Sequence, residues 1–359
     1  MGPLERGRAH GEKLRDAVRG AAERWKASLT PPGTQTRDEY VRRFVSETSF
    51  RKAIERHTPD LLDEVRGIAE GAGLPFETVY AMQLPDEEWW FSINARLGGS
   101  ARPPVEKGDK CTVLAAPSDG ERPTLVGQNL DLPRWPADAM VLLRNQPTEG
   151  PESLVVTIAG LVGATGINAA GVAVCVNTLL QLDNSVDGLP VAFVVRGILA
   201  RDGLAGAREL VERVPHASGQ AYTIGTKDGA VCLEASAGKV VPLTSEAADG
   251  RFVHTNHPLA NDDRGLIGES MRESDKDNSH IRYTCASTRV AELPAEPTVH
   301  GLQSVLTSHD SDDHPICNHL EGERGGFTAA SVVYELGAAP RLHVAGAPPC
   351  RGGYEGLGF

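Results

Sequence analysis

At Cys111 the periodicity of this chain changes, and that change limits the possible folds more than any other feature. Between residues 111 and 179 the sequence reads CTVLAAPS, TLVGQNLDL, AMVLLRN, SLVVTIAG and GVAVCVNTL, short β-prone segments parted by turns such as SDGERP and NAAG. No helical period intervenes, so the strict βαβ alternation of a doubly wound parallel sheet is missing. Several segments are apolar at successive rather than alternate positions, as expected of sheets covered on both faces.

The flanking sequence is helical. GEKLRDAVRGAAERWKASL spaces Leu14, Val18, Ala21, Ala22 and Trp25 along one face and stops before Pro31 and Pro32. TPDLLDEVRGIAEGAG predicts a helix with Thr58 as N-cap before Pro59 and Gly71 and Gly73 at its end. GLPFETVYAMQL predicts a further short helix, and a Gly/Pro/charge-rich loop is expected from Arg96 to Lys110. Beyond residue 179, LPVAFVVRGILARDGLAGARELVERV predicts a helix broken at Gly203. Strands follow in QAYTIGT, AVCLEAS and RFVHTNH, then helices in HIRYTCASTRVAEL and TVHGLQSVLTSH. A closing hairpin is expected in TAASVVYELGAAPRLHVAG, with no internal repeat. Helices, many strands, paired helices and more strands together predict an α/β fold, a four-layer α/β/β/α sandwich.

The charge balance of 36 basic against 48 acidic residues, a net of −12, argues against a nucleic-acid partner, which would need a basic stripe. No apolar run reaches the roughly 18 residues of a membrane span. The opening MGPLERGRAHGEKLRD lacks a signal-peptide core, and the six cysteines (111, 175, 232, 285, 317, 350) show no framework spacing. Reduced thiols and a cytoplasmic location are expected.

Several chemistries are excluded by their missing motifs: GxSxG, GxxxxGK[ST] and HExxH do not occur. The glycines of 160-GLVGATGINAAG-171 are misplaced for a dinucleotide fingerprint and read as tight turns. The stretch 309-HDSDDHPICNH-319, with 254-HTNH-257, admits a metal-dependent hydrolase built on His254, His257, His309 and His314. Its spacing fits no zinc pattern and Pro315 interrupts any single helix, so a polar loop is the reading preferred. Cys175, Cys232 and Cys350, in strands or at a strand end, read as small buried apolar residues. Cys111 follows a loop instead, and 127-GQNLDL-132 delivers Asn129 and Asp131 twenty positions on. It is either another small buried residue or a nucleophile.

Here the sequence resembles a known family. Cys111-Thr112-Val113, GQNLD (127–131), GINAAGVAVCVN (166–177), HTNH (254–257) and PIC (315–317) occur in the order seen in the isopenicillin N acyltransferase family, autoproteolytic cysteine enzymes of the N-terminal nucleophile hydrolase superfamily. The leader stretch 64-EVRGIAEGAG-73 and the terminal 329-AASVVYELGAAPRLHVAGAPPC-350 extend the resemblance over nearly the whole chain.

The resemblance implies self-cleavage between Lys110 and Cys111. An α chain of residues 1–110 and a catalytic β chain of 111–359 would then stay together non-covalently. It implies Cys111 as nucleophile, Asp131 orienting the new α-amine and Asn256 donating to the oxyanion. Asn177 matches a further polar group of the site, although a buried strand asparagine can equally satisfy a neighbouring backbone. The implied activity is cleavage or transfer of an acyl group from a small amide or acyl-coenzyme A to an amine or water, with no metal or organic cofactor; the alternative that keeps the resemblance is a non-catalytic relative of the same fold. The relatives' glycine before the nucleophile is Lys110 here, and the arginine that commonly follows PIC is Asn318. Trp89 and Trp90 in 86-DEEWWF-91 are candidates both for an acyl pocket and for the core.

Overall fold

The structure is a computed structural model. It describes residues 1–97, 111–118, 120, 122–245, 247–267, 273–320 and 326–359. Lys110 and nearly all of the expected loop before it lie outside these residues.

Seven helices occupy the first 97 residues: α1 (Pro3–Lys13), α2 (Arg15–Ser28), α3 (Arg37–Glu47), α4 (Phe50–His57), α5 (Pro59–Ala72), α6 (Phe76–Met82) and α7 (Pro85–Leu97). The expected helix over residues 11–29 is divided at Leu14. Thr58 stands at the N-cap of α5 but its side chain makes no capping bond, while Gly73 closes the helix in the left-handed region at φ 65°.

The strands form two antiparallel sheets. One has the order β10 (Phe252–His254), β1 (Thr112–Ala116), β2 (Thr124–Leu132), β11 (Phe327–Leu336), β12 (Arg341–Gly346), β13 (Glu355–Leu357). The other runs β3 (Met140–Asn145), β4 (Ser153–Ile158), β5 (Thr165–Asn168), β6 (Ala173–Thr178), β7 (Gln220–Thr226), β8 (Gly229–Ala235), β9 (Val240–Leu243). The period of two explains why strands such as β1 are buried throughout. Val113 and Ala115 enter a core between the sheets with Val156, Cys175 and Val332. Leu114 and Ala116 face outward against α10 (Glu273–Glu292) and α11 (Val299–Leu306), packing on Ala286, Val290 and Leu302. On the far side of the second sheet, Val155 and Val174 share a core with α2–α6 and with α8 (Val191–Leu199) and α9 (Leu204–Arg213). The expected four-layer α/β/β/α sandwich is therefore the observed architecture, with the helix break at Gly203 where it was expected.

Three strands escaped the sequence reading. β5 lies within the stretch read as turns: Gly160 and Gly171 do turn at positive φ, but Gly166 sits in the strand. β9 and β13 are short and only partly buried, so their apolar signal is weak. Cys350, expected to be buried, is exposed.

The leader stretch owes its glycines to a helix crossing. Gly7 and Gly11 of α1 face Gly67 and Gly71 of α5 so closely that a Cβ at Gly7 would lie 1.9 Å from the Glu64 carbonyl oxygen, and one at Gly67 2.1 Å from that of Leu4. Beside this crossing the Glu64 carboxylate accepts from Arg6 (2.9 and 2.6 Å) and from both terminal nitrogens of Arg196 (2.9 and 3.0 Å). Burial alone would push the Glu64 carboxyl up, but Arg196 and Arg6 reverse this and hold it below the usual range. Its stabilisation is present above the unfolded value, about pH 4.3, and is lost as pH falls. Glu64→Ala strands two cations in the interior and is expected to cost about 3–5 kcal/mol, measured by urea unfolding at pH 7.

Residues 1–97 and 111–359 are thus built around one interior. Gly160 N donates to His10 Nε2 (3.0 Å), and burial pushes that imidazole down to about 4, so it is a neutral acceptor. Gln83 donates to Gly160 O (2.7 Å) and accepts from Val162 N (2.8 Å).

Candidate active site

Three elements converge on the residue that opens β1. Antiparallel pairing sets Thr112 opposite Asn129 and Val113 opposite His254. Continuing along β2 brings Asp131, and continuing past β10 brings Asn256, to the end of the sheet where Cys111 stands. From the other sheet, Asn177 on β6 donates through Nδ2 to Cys111 O (3.1 Å) and to His254 O (3.4 Å). The structure therefore brings all four candidate residues to one region. Asn129 differs: its amide donates to Leu306 O (2.7 Å) and Ile316 O (2.9 Å), fastening the PIC segment to β2.

The residue that ties the region together is Arg282 on α10, fully buried and missed by sequence reasoning. It donates to Cys111 O (2.8 Å), Thr112 Oγ1 (3.0 Å), Asn256 Oδ1 (2.9 Å) and Asn278 Oδ1 (3.0 Å). Burial pulls its guanidinium below the usual range, against the attraction of Asp131 and Cys111. Asn278 and Arg282 lie four apart on one helix face, but nothing local marks that face as buried. The relatives' arginine after PIC is replaced by Asn318, whose Nδ2 donates to Asp131 Oδ2 (3.2 Å). Thr328 Oγ1 donates to the other oxygen, Oδ1 (2.5 Å).

Asn256 is oriented from both ends, since its Oδ1 accepts from Arg282 while its Nδ2 donates to Thr178 O (3.1 Å). An amide nitrogen carries two hydrogens, and that contact uses one. Thr178 Oγ1 donates to Asp86 on α7 (2.9 Å), and burial raises the Asp86 carboxyl. The turn carrying Asn256 is anchored by a buried pair, His254 Nε2 to Glu234 Oε1 (2.8 Å). Burial would raise Glu234, yet His254 and the N–H groups of Leu259 and Asn261 pull it down.

The metal-hydrolase alternative is not supported. His254 spends its nitrogens on Glu234 and Thr255 O (2.7 Å), His257 stacks on His280 at 3.9 Å between centroids, and His314 pairs with Asn278 (2.7 Å). Among the described residues the four histidines form no ligand cluster.

Cys111 lines a cavity of about 320 Å³ between the sheets and the N-terminal helices. Trp25, Trp89, Trp135, Leu130, Ile158 and Val176 make its wall mainly apolar, with Asp86 and Glu88 as acidic points. The tandem tryptophans divide: Trp89 lines this cavity, while Trp90 is buried with Ile93, Leu180 and Ile267.

Two antiparallel sheets between helical layers, with a cysteine at the head of an inner strand lining a cavity, form the α/β/β/α arrangement of the N-terminal nucleophile hydrolase fold that the sequence resemblance implied. The family model of the acyl-coenzyme A:6-aminopenicillanic acid acyl-transferases matches residues 118–294 of the chain. It is 25% identical over 352 residues to the 40 kDa form of acyl-coenzyme A:6-aminopenicillanic-acid-acyltransferase of Emericella nidulans, covering 93% of this chain and 87% of that one. Among solved structures, the Caenorhabditis elegans N-acylethanolamine-hydrolyzing acid amidase ortholog superposes with a TM-score of 0.45 at 16% identity, covering 62% of this chain and 92% of that one. Penicillin V acylase from Agrobacterium tumefaciens gives 0.44 at 12% identity, covering 69% and 86%. The resemblance read from the sequence is borne out. Among the described residues, no helix is long and apolar enough to cross a membrane.

Proposed function

We propose that the chain is a self-processed cysteine acyltransferase or amidohydrolase that works through an acyl-Cys111 intermediate. The observation carrying this reading is the position of Cys111, which lines an apolar cavity while its carbonyl is held by Asn177 and Arg282. In the precursor, Sγ adds to the Lys110 carbonyl. The Lys110–Cys111 C–N bond breaks as the nitrogen takes a proton, leaving a thioester that water hydrolyses. The freed α-amine, with a pKa of about 7.7–8.0, then serves as the thiol's base near neutral pH. Asp131, held by Asn318 and Thr328, orients that ammonium group, and the remaining N–H of Asn256 meets the oxyanion.

In turnover the sulfur attacks an amide or acyl-coenzyme A carbonyl, the leaving group departs with the proton from the α-amine, and an amine or water removes the acyl group. The acceptor is decided by how well the cavity orients an amine and excludes water. The shared interior explains how residues 1–110 and 111–359 stay associated after scission. A nucleophilic thiol needs a reducing compartment, and the cytoplasm is the one proposed.

Intact-mass analysis of purified protein tests the reading: two species dividing between Lys110 and Cys111 are expected, and one full-length species with undiminished amide turnover overturns it. Trp89→Ala is expected to raise KM for bulky apolar acyl donors about tenfold with little change in kcat, read from steady-state kinetics over a donor series.

A further inference from the structure

Outside the active site, four soft-ligand side chains meet that no local sequence pattern joins. The ligating atoms of His309, Cys317, His319 and Cys350 all lie within 4.8 Å of one another. His309 Nε2 and His319 Nε2 are 3.1 Å apart, and His319 Nε2 is 3.0 Å from Cys350 Sγ. A tetrahedral zinc ion with bonds of about 2.0–2.1 Å to nitrogen and 2.3 Å to sulfur has edges of about 3.3–3.8 Å, close to this spacing. The two imidazoles meet edge to face at 75°, so their lone pairs converge rather than stack.

We infer that His309, Cys317, His319 and Cys350 form a structural Cys2His2 site for a zinc-class divalent cation, fastening the 309–319 loop to the C-terminal turn. Its closed ligand set leaves no open position for a substrate, so the role is one of scaffolding. The loop carries Asn318 between two ligands, and Asn318 donates to Asp131 through its side chain and to Thr328 Oγ1 through its backbone N–H (2.8 Å). A metal at this point fixes the approach of Asn318 to Asp131 from outside the catalytic cavity. Sequence reasoning passed over the cluster because Cys350 is supplied from beyond the final hairpin and replaces the histidines of HTNH.

The protonation balance is definite. Binding converts two thiols to thiolates and releases two protons, as a Cys2His2 ligand set requires. Arg351 now donates to His319 Nδ1 (3.1 Å), which leaves the ring proton on Nε2. Ligation through Nε2 moves that proton to Nδ1 and displaces the guanidinium.

The test uses the full-length wild-type chain purified without chelator, with metal content measured by plasma mass spectrometry and cobalt(II) chloride added to metal-stripped protein. About one equivalent of zinc per chain is expected, as is a thiolate-to-cobalt absorption band of tetrahedral type. Cys350→Ser and His309→Ala replace exposed residues, and each is expected to weaken zinc binding at least about tenfold while circular dichroism is unchanged. Three results would overturn the proposal: folded protein that takes up no zinc at micromolar concentration, equal uptake by wild type and both variants, or a Cys317–Cys350 disulfide detected as a loss of two hydrogens in the intact mass.

Discussion

Cys111→Ala is expected to yield one uncut chain of 38.2 kDa and to abolish acyl transfer. The substitution removes one sulfur and leaves the backbone groups in place, so the Cys111 carbonyl keeps its contacts with Asn177 and Arg282. Cys111 is buried, and exchanging a thiol for a methyl there loses little packing, so the variant should fold and melt near the wild type. What disappears is the covalent route in both its uses. Without sulfur no thioester forms with Lys110, no α-amine is released at residue 111, and no acyl-enzyme accumulates. Removing the nucleophile from a cooperating nucleophile and base costs on the order of 10⁴–10⁶ in kcat. Intact mass, N-terminal sequencing and single-turnover kinetics check the three consequences separately. A variant that still divides at this bond, or retains more than about a thousandth of wild-type turnover, removes sulfur from the mechanism.

Why Cys111 could be singled out from sequence, and its setting could not, follows from the range over which each signal acts. The switch from a helical to a two-residue period is local, so the layers and the position of Cys111 at a strand head are written in consecutive residues. Asp131 and Asn256 follow from antiparallel pairing with β1, which motif order anticipates. Arg282 lies in a helix of ordinary composition, and its burial depends on how α10 docks beside β1. The same holds for His319 and Cys350, 31 residues apart in sequence and 3.0 Å apart in space. β5 was read as turns because glycine marks both a turn and a crowded strand: a Cβ at Gly166 would fall 2.7 Å from Leu154 O. Trp89 and Trp90 had to be left open, since adjacent helical residues point about 100° apart and only the packing decides which one meets the cavity.

Arg282→Met is expected to damage stability and catalysis together, and Arg282→Lys to separate the two. The guanidinium serves four acceptors at once: Cys111 O, Thr112 Oγ1, Asn256 Oδ1 and Asn278 Oδ1. Methionine fills much of the volume but withdraws the donor from Thr112 Oγ1, Asn256 Oδ1 and Asn278 Oδ1, leaves Cys111 O to Asn177 alone among these donors, and removes the positive charge that attracts Asp131, an expected loss of about 3–5 kcal/mol in denaturant unfolding. Catalysis should suffer through Asn256. With Oδ1 released, its amide can rotate, and misplacing one oxyanion donor costs about 2.7–4 kcal/mol, or 10²–10³ in kcat. Lysine restores the charge beside Asp131 but offers a point cation with three donors in place of a planar fork, so it cannot reach all four oxygens. It should recover most of the stability while kcat stays depressed about a hundredfold and KM changes little, the pattern of a lost interaction made in the transition state. If Arg282→Met turns over substrate at the wild-type rate once folded, Asn256 is positioned by Thr178 alone and the proposed oxyanion geometry does not need the arginine.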